Sequence, residues 1–298
     1  MKKLLTFFVC LAHVGLCSCG NVDDKDSYLG TKVELSKNAI SYNKLFSFTG
    51  SSLQSAQGAA IYGDYLFQTY NTVGKIDIYN IPTGNLVGTI SLTAIAAFHG
   101  NNMQFSNIFI SDSDFFPVLY ISSETERLSR VYRIQQENNT YTATLVQIIG
   151  IPSAEDLGYY PNCILDNEKG LMYIGSYTEN SYISSDTNKL KLTSFKLPAL
   201  DSDVINLTTS DIIDTFLLNS LTAMQGAFIS QGKLFQAYGH HSSFSIRSIN
   251  LTTKSFETYI DLVSYGINDE PEGLALYNNT IIMTSVGRHC YRFFFDVN

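Results

Sequence analysis

Short runs of alternating apolar and polar residues follow one another along this chain, separated by tight polar turns. One stretch, residues 57–80 (QGAAIYGDYLFQTYNTVGKIDIYN), returns in altered form as residues 224–250 and again as residues 271–295. Each copy reads as a polar residue, a glycine and then three apolar runs divided by a turn and a polar loop. Alternation bounded by Gly, Asn and Asp is typical of antiparallel strands. The pattern therefore predicts one β-meander written several times.

Two weaker copies lie between these three and open at His99-Gly100 and at Pro161-Asn162. In the second copy we expect strands at 105–111, 117–122, 130–135 and 141–149. In the third copy a polar insertion, residues 177–188, separates the second strand from the third. The segment 210–221 fits either a short helix or a fourth strand, since its length and periodicity suit both.

The copies resemble the blades of bacterial β-propeller repeat proteins, most clearly at residues 78–92 (IYNIPTGNLVGTISL). The Q-G-A and E-G-L openings are similar to those of glutamine-cyclotransferase-like, NHL and esterase-like propellers. A four-stranded blade takes about 40 to 50 residues. The resemblance implies an all-β fold, a single β-propeller of five four-stranded blades over residues 41–298. A six-bladed ring, with a degenerate blade in residues 199–222, is the alternative.

The last copy has room for only three strands, whereas the segment 43–49 (NKLFSFT) reads as a strand without a hairpin partner. We expect this N-terminal strand to complete the last blade. Exposed sheet edges invite pairing with other chains, and closing the ring removes one.

The N-terminal residues 1–18 read as a signal peptide, with Lys2 and Lys3 before an apolar run that ends at Leu16. The sequence Leu16-Cys17-Ser18-Cys19 resembles a bacterial lipobox, which implies that Cys19 becomes the lipidated first residue. An acidic tether follows, and residues 19–40 resemble those of Bacteroidetes lipoproteins. We therefore expect an outer-membrane lipoprotein of the bacterial cell envelope, held to the membrane through Cys19. Cys17 is the alternative lipidation site, although Leu16 before it is not the small residue expected there, and an ordinary secretory signal is the alternative to a lipobox.

Composition narrows the range of partners. Of 298 residues only 15% are charged, the net charge is -8, and no basic cluster occurs. Nucleic-acid binding is therefore not expected, because neutralising phosphates requires Lys or Arg. No spacing typical of a metal site occurs, and nothing implies a cofactor. Cys163 and Cys290 fall at different strand positions, so we expect two separate buried thiols.

Polar residues open the first strand of every copy, and in a propeller these strands line the central channel. The five residues expected to meet at one mouth are Gln57, His99, Asn162, Gln225 and Glu272. Loops expected at the same mouth add further candidates, namely Tyr70, Tyr177, Tyr238, His240, Arg288 and His289. Aromatic faces and an arginine suit a sugar or uronate. The simpler interpretation is that these polar groups satisfy one another's hydrogen bonds.

Three functions fit these features. The first is a binding module for a glycan, a peptide or a partner protein at the channel mouth. The second is a polysaccharide lyase or glycoside hydrolase that uses Glu272, His99, His240 and Arg288. The third is a non-catalytic assembly scaffold. The mouth loops place no second carboxylate clearly opposite Glu272, as a glycosidase requires, so we favour binding over catalysis.

Overall fold

The computed structural model describes residues 40–50, 54–71, 74–92, 100–182, 185–219, 223–239 and 243–295. These residues form five sheets, each with four antiparallel strands, and the first strand of each sheet contacts the first strands of its two neighbours. The chain is thus a closed five-bladed β-propeller, and the expected blade number is confirmed. The predicted signal peptide and residues 19–39 of the predicted tether lie outside the described residues, whereas residue 40, the last of the predicted tether, already belongs to a strand.

The strands of each blade follow the chain from the axis outward. Blade 1 consists of β2 (Ala56–Tyr62), β3 (Tyr65–Tyr70), β4 (Lys75–Asn80) and β5 (Asn85–Ser91). Blade 2 consists of β6 (Gly100–Phe105), β7 (Leu119–Ser123), β8 (Leu128–Glu137) and β9 (Thr140–Gly150). Blade 3 consists of β10 (Tyr159–Asp166), β11 (Leu171–Tyr177), β12 (Lys189–Lys196) and β14 (Ile212–Asn219).

Blade 4 consists of β15 (Met224–Ser230), β16 (Lys233–Tyr238), β17 (Ser245–Asn250) and β18 (Ser255–Asp261). Blade 5 consists of β19 (Pro271–Tyr277), β20 (Thr280–Ser285), β21 (His289–Phe295) and the N-terminal β1 (Ile40–Ser47). A one-turn helix α1 (Ala154–Leu157) precedes β10, and 3₁₀ turns occupy Thr209–Asp211 and Val263–Tyr265.

The N-terminal strand β1 closes the ring as expected, although it begins a few residues earlier than predicted. It pairs antiparallel with β21, the last strand of the chain. Phe46 of β1 stacks on Tyr79 of blade 1, with ring centroids 5.7 Å apart. On its other side, Tyr42 stacks on Phe293 at 5.8 Å. Backbone pairing therefore joins the two ends of the chain within blade 5, and aromatic packing joins this closing strand to blade 1.

Two predictions about individual strands need correction or completion. The first strand of blade 2 spans Gly100–Phe105, so the predicted strand at 105–111 was wrong by about five residues. The ambiguous segment 210–221 contains β14, the outer strand of blade 3. Ahead of it, a short strand β13 (Val204–Asn206) pairs in parallel with β9 of blade 2. The described residues of this segment, 199–219, therefore supply strands to blades 2 and 3, and the six-bladed alternative is wrong.

Five apolar clusters fill the gaps between neighbouring blades, one cluster to each gap. Both faces of the middle strands are therefore covered, which explains why these strands read as nearly continuous apolar runs. Between blades 1 and 2, for example, Phe67 packs edge-on against Phe105 and Phe116 at 5.0 and 5.2 Å. Cys163 and Cys290 lie in two different clusters as buried free thiols, as expected.

Glycines follow the polar opening residues because the inner strands approach one another very closely. A Cβ atom on Gly226 would lie 2.5 Å from the backbone oxygen of Glu272 and 2.6 Å from the backbone nitrogen of Leu274. A Cβ atom on Gly273 would lie 2.5 Å from the Cβ of Ala59 in the next blade. No larger residue fits without separating the strands, so these glycines serve the packing of a narrow ring.

Asn102 bridges three blades across the axis of the ring. Its side-chain Nδ2 donates to the carbonyl of Cys163 at 2.8 Å, and its Oδ1 accepts from the backbone N–H of Ala227 at 3.0 Å. The side chain is almost completely buried. The axis is therefore bridged by hydrogen bonds below the mouth where the inner strands begin.

In the described part of the chain, no helix has the length and apolar character needed to cross a membrane.

Candidate functional site

Every inner strand has a register irregularity close to its first residue. The shifts fall between Ala56 and Ala59, Gly100 and Asn102, Tyr159 and Asn162, Met224 and Ala227, and Pro271 and Gly273. A β-bulge leaves a residue out of the ladder and turns its side chain away from the regular pleat. Repeated around the ring, the bulges direct residues from several blades toward one mouth.

A cavity of about 340 Å³ opens at this mouth. Three of its lining residues carry carboxyl groups, namely Glu124, Glu270 and Glu272. Four more carry side-chain amides, namely Gln57, Asn71, Asn101 and Gln225. None of the lining residues that the structure describes is a lysine, an arginine or a histidine. The cavity is therefore acidic and rich in hydrogen-bond acceptors.

Glu272 is the most deeply buried of the three carboxyl groups, with only 4% of the residue exposed. Burial, followed by the charge of Glu270, raises the pKa of Glu272 well above its ordinary value. A hydrogen bond with Gln57 acts in the opposite direction, whereas Glu124 and Asp269 raise the pKa further. The surroundings thus favour the protonated form of this side chain.

The side chain of Glu270 is held by a side-chain amide of the neighbouring blade. Gln225 donates from its Nε2 to Oε1 of Glu270 at 3.0 Å and to the carbonyl of Gly239 at 3.2 Å. The carbonyl of Glu270 also accepts from the N–H of Val286 at 2.9 Å. Both the backbone and the side chain of Glu270 are therefore positioned at the rim of the cavity.

The insertion in blade 3 contributes an aromatic residue, Tyr182, to the lining of the cavity. Tyr182 donates from its hydroxyl to Oε1 of Glu124 at 3.0 Å, and its ring stacks on Tyr160 at 3.8 Å. The N–H of Glu124 in turn donates to Oδ1 of Asn101 at 3.2 Å. Burial and the nearby Glu124 raise the pKa of Tyr182, which therefore remains a donor.

The structure brings three of the five predicted mouth residues together. Gln57, Gln225 and Glu272 occupy equivalent positions in the bulges of their blades and line the cavity. In blades 2 and 3 the equivalent positions, counted from the paired strand ends, belong to Asn101 and Tyr160. The expected ring was therefore two residues out of register in these blades, where His99 and Asn162 had been assigned to it.

His99 lies outside the described residues. Asn162 lies deeper in the ring, where its Nδ2 donates to the carbonyl of Gln225 at 3.0 Å. Its Oδ1 is buried and has no hydrogen-bond partner among the described residues. Asn162 thus joins blades 3 and 4 and does not line the cavity.

Three predicted ligand-binding tyrosines end the second strands of blades 1, 3 and 4, and each is only 1% exposed: Tyr70, Tyr177 and Tyr238. Their hydroxyls are used inside the protein, with Asp77, the N–H of Met224 and Gln236 as the respective partners. Their apolar rings and internal bonds place them in the packing between blades, away from the cavity lining.

The remaining predicted residues lie apart from the cavity or outside the described chain. Arg288 donates from its Nη2 to the carbonyl of Gly50 at 3.1 Å, next to the end of β1. His289 hydrogen-bonds Ser47 of β1 at 3.0 Å. Both residues therefore secure the closing strand. His240 lies outside the described residues.

The arrangement is suited to receiving a positively charged group. Carboxylates and amide oxygens accept hydrogen bonds, and charge-assisted bonds are the strongest of them. The residues that the structure describes contain no group of three His, Cys, Asp or Glu placed to hold a metal ion. Fold and site together define a five-bladed β-propeller with an acidic cavity at one mouth.

Comparison with known proteins supports the fold. No family model and no curated protein matches the sequence. Among solved structures, the glutaminyl cyclase of Myxococcus xanthus has a TM-score of 0.54 at 13% identity, over 86% of this chain and 97% of that chain. A catalytically inactive virginiamycin B lyase from Staphylococcus aureus has a TM-score of 0.45 at 12% identity, over 87% and 100%. At 13% identity the likeness to the glutaminyl cyclase is one of fold alone.

Proposed function

We propose that the protein is a binding module whose mouth cavity takes a small ligand with a positively charged group. One observation carries this proposal: three carboxyl groups and four side-chain amides line a single cavity in which no described lining residue is basic. Concave sites with a few convergent polar groups are where ligands bind most often. The negative charge of the lining favours ligands that carry a positive charge.

The charge also discriminates among the ligands expected from the sequence. A uronate or other acidic sugar needs a cation, yet Arg288 bonds to Gly50 and does not line the cavity. A peptide or another amine-bearing molecule supplies donors to Glu124 and Glu270 instead. The acidic lining therefore supports a cationic ligand over an acidic glycan.

Isothermal titration calorimetry with matched cationic, neutral and anionic small molecules tests the proposal. We expect binding of the cations alone and a loss of at least about tenfold in affinity for Glu270→Gln, since a hydrogen bond to a charged group contributes about 1.5 to 3 kcal/mol. Glu137 lies exposed at the end of β8, so Glu137→Gln removes the same charge away from the cavity and serves as the control. Equal affinity for the anionic molecules would refute the proposal.

Catalysis is a second candidate, because a buried carboxyl group with a raised pKa lies beside a second carboxyl group. Such pairs act as general acid and base in many enzymes. The sequence shows no second carboxylate clearly opposite Glu272 in the mouth loops, and Glu270 supplies one close to it. Because the glutaminyl cyclase of Myxococcus xanthus has a similar fold, glutaminyl peptides are the first substrates to test. Turnover of such a peptide by the wild type, lost in Glu272→Gln, would favour an enzyme. No turnover by the wild type would favour binding.

The lyase or hydrolase that was expected to use Glu272, His99, His240 and Arg288 gains less support. Arg288 does not line the cavity, and both histidines lie outside the described residues. A scaffold role remains an alternative, and a narrow channel with a flat mouth would favour it. The axis is indeed bridged by Asn102, but the mouth holds a cavity, which supports a ligand.

We also propose that the cavity works at the bacterial envelope, with the chain held to the outer membrane by lipid on Cys19. The support is the lipobox-like sequence around Cys19 and the acidic tether after it. Labelling of cells with a fatty-acid analogue tests this directly. Label in the protein that disappears in Cys19→Ser is the expected result, and an unlabelled protein in the soluble fraction would contradict it.

A further inference from the structure

The outer strand of blade 3 has an unpaired edge. β14 (Ile212–Asn219) is the last strand of its sheet, and within the described part of the chain no strand lies beyond it. From Asp214 to Asn219 its backbone forms no hydrogen bond with a described segment other than β12. A row of unpaired N–H and C=O groups is a template for pairing with another chain. The outside of blade 3 can therefore accept a further strand.

The outer strands of the other blades are covered or carry charged residues. β13 pairs with β9 in blade 2, and β1 pairs with β21 in blade 5. In blade 1 the ring of Tyr141 from blade 2 lies against Gly88 of β5. β18 of blade 4 carries Glu257 and Asp261, and β1 carries Lys44. Covering strands and charged side chains discourage edge pairing, so β14 is the outer strand best suited to it.

Two exposed aliphatic side chains stand on either side of Thr215 in β14. Ile213 is 58% exposed and Leu217 is 55% exposed, the highest values of any isoleucine or leucine that the structure describes. Ile213 has no partner on β12 because the register shifts between Ile212 and Asp214. Removing both side chains from water requires a second surface at this edge.

We propose that β14 pairs antiparallel with β14 of a second copy of this chain, about a two-fold axis that passes through Thr215. In this register Ile213 of each copy lies opposite Leu217 of the other, and Thr215 lies opposite the same residue of the second copy. The pattern is therefore self-complementary, as a two-fold interface requires. Apolar pairs across neighbouring antiparallel strands stabilise a sheet.

The charges on this edge fit the same register. The ammonium group of Lys254 lies 2.7 Å from an oxygen of Asp214 and 5.3 Å from the centre of the Phe216 ring. About the proposed axis, Asp214 of one copy lies opposite Phe216 of the other and therefore near the Lys254 that covers that ring. Opposite charges thus meet across the interface, which favours this register over others.

The size of the contact sets the strength of the dimer. A standard protein interface buries about 1,200 to 2,000 Å² in total. A single strand of eight residues from each copy provides less than this, so we expect a reversible dimer that forms as the concentration rises. No residue of β14 lines the mouth cavity, so the dimer is independent of the proposed ligand.

Sedimentation velocity of the full chain over a range of concentrations tests the dimer. We expect the wild type to shift from monomer to dimer, and Leu217→Lys to weaken the association at least about tenfold, because a two-fold interface repeats each substitution. Ile213→Lys should have the same effect and is the second variant in case the first does not fold. Val204→Lys is the matched control, since Val204 is 57% exposed but lies on β13. A wild type that stays monomeric at every concentration, or a dimer that Leu217→Lys leaves unchanged, would overturn the proposal.

Introduced cysteines test the register. Thr215→Cys should form a disulfide with the same residue of the second copy under mild oxidation, because opposite residues in antiparallel strands have Cβ atoms about 4.5 to 5.5 Å apart. Ile213→Cys and Leu217→Cys should link to each other when the two variants are mixed, and neither should link to itself. Peptide mass spectrometry distinguishes these links from any that native cysteines form. A self-linked Leu217→Cys without a self-linked Thr215→Cys would overturn the proposed axis.

Discussion

Replacing Glu272 by glutamine should change how the stability of the protein depends on pH. Glutamine keeps the shape and hydrogen-bonding ability of a protonated carboxyl group but carries no titratable proton. Because burial and Glu270 raise the pKa of Glu272 in the folded protein above the 4.5 of an ordinary glutamate, the folded chain keeps a proton that the unfolded chain releases. The free energy of unfolding of the protein therefore decreases as pH rises.

The magnitude follows from linkage. Between pH 4.5 and the raised pKa of the folded protein, the native state binds up to one proton more than the unfolded state. Within that window Glu272 lowers the free energy of unfolding by up to about 1.4 kcal/mol for each pH unit. Below pH 4.5 both states are protonated and its contribution to stability is fully present.

Urea denaturation of wild type and Glu272→Gln, from about pH 5 to about pH 8, measures the difference directly. The free energy of unfolding of the variant, minus that of the wild type, should increase steadily with pH. Glu137→Gln, an exposed position on blade 2, should show no such trend. A difference between Glu272→Gln and the wild type that stays constant with pH would refute the reasoning.

Three further predictions concern the ring itself. Gly226→Ala should lower the free energy of unfolding by about 1 to 3 kcal/mol, because its Cβ would meet rigid backbone at 2.5 Å. The matched Gly175→Ala, whose Cβ would meet only side-chain atoms, the nearest being the flexible Met224 sulfur at 3.2 Å, should cost clearly less in urea denaturation, and equal losses would contradict the explanation. Asn102→Ala leaves two buried backbone groups unpaired and should cost about 2 to 4 kcal/mol by the same measurement, whereas an unchanged midpoint would exclude the bridge. Cys163, whose pKa burial raises to about 12, and Cys290 should resist iodoacetamide until the protein is unfolded, as judged by peptide mass spectrometry, and rapid native labelling would contradict their burial.

The mouth residues show where sequence reasoning succeeds and where it stops. Gln57, Gln225 and Glu272 were recognised because a glycine follows each of them, and that glycine is required by the close approach of the inner strands. Blades 2 and 3 have Asn102 and Pro161 at the same place, so the marker is missing and the register was misjudged by two residues.

The other cavity residues carried no periodic signal. Glu124, Glu270 and Tyr182 lie in loops or insertions, and alternation along a strand says nothing about where a loop side chain points. Their polar character alone did not distinguish them from Tyr70 or Arg288. Tyr70 is buried between blades, and Arg288 fixes the closing strand.

The sequence by itself determined the class of fold, the number of blades and the closure of the ring by the N-terminal strand. These features follow from a local period of two, from its repetition and from the need to cover a sheet edge. Only the tertiary structure decided which polar groups share the cavity and which protonation state of Glu272 is favoured. Bulges and loops from blades far apart in sequence meet there, and a pKa depends on burial and neighbouring charge that no single segment encodes.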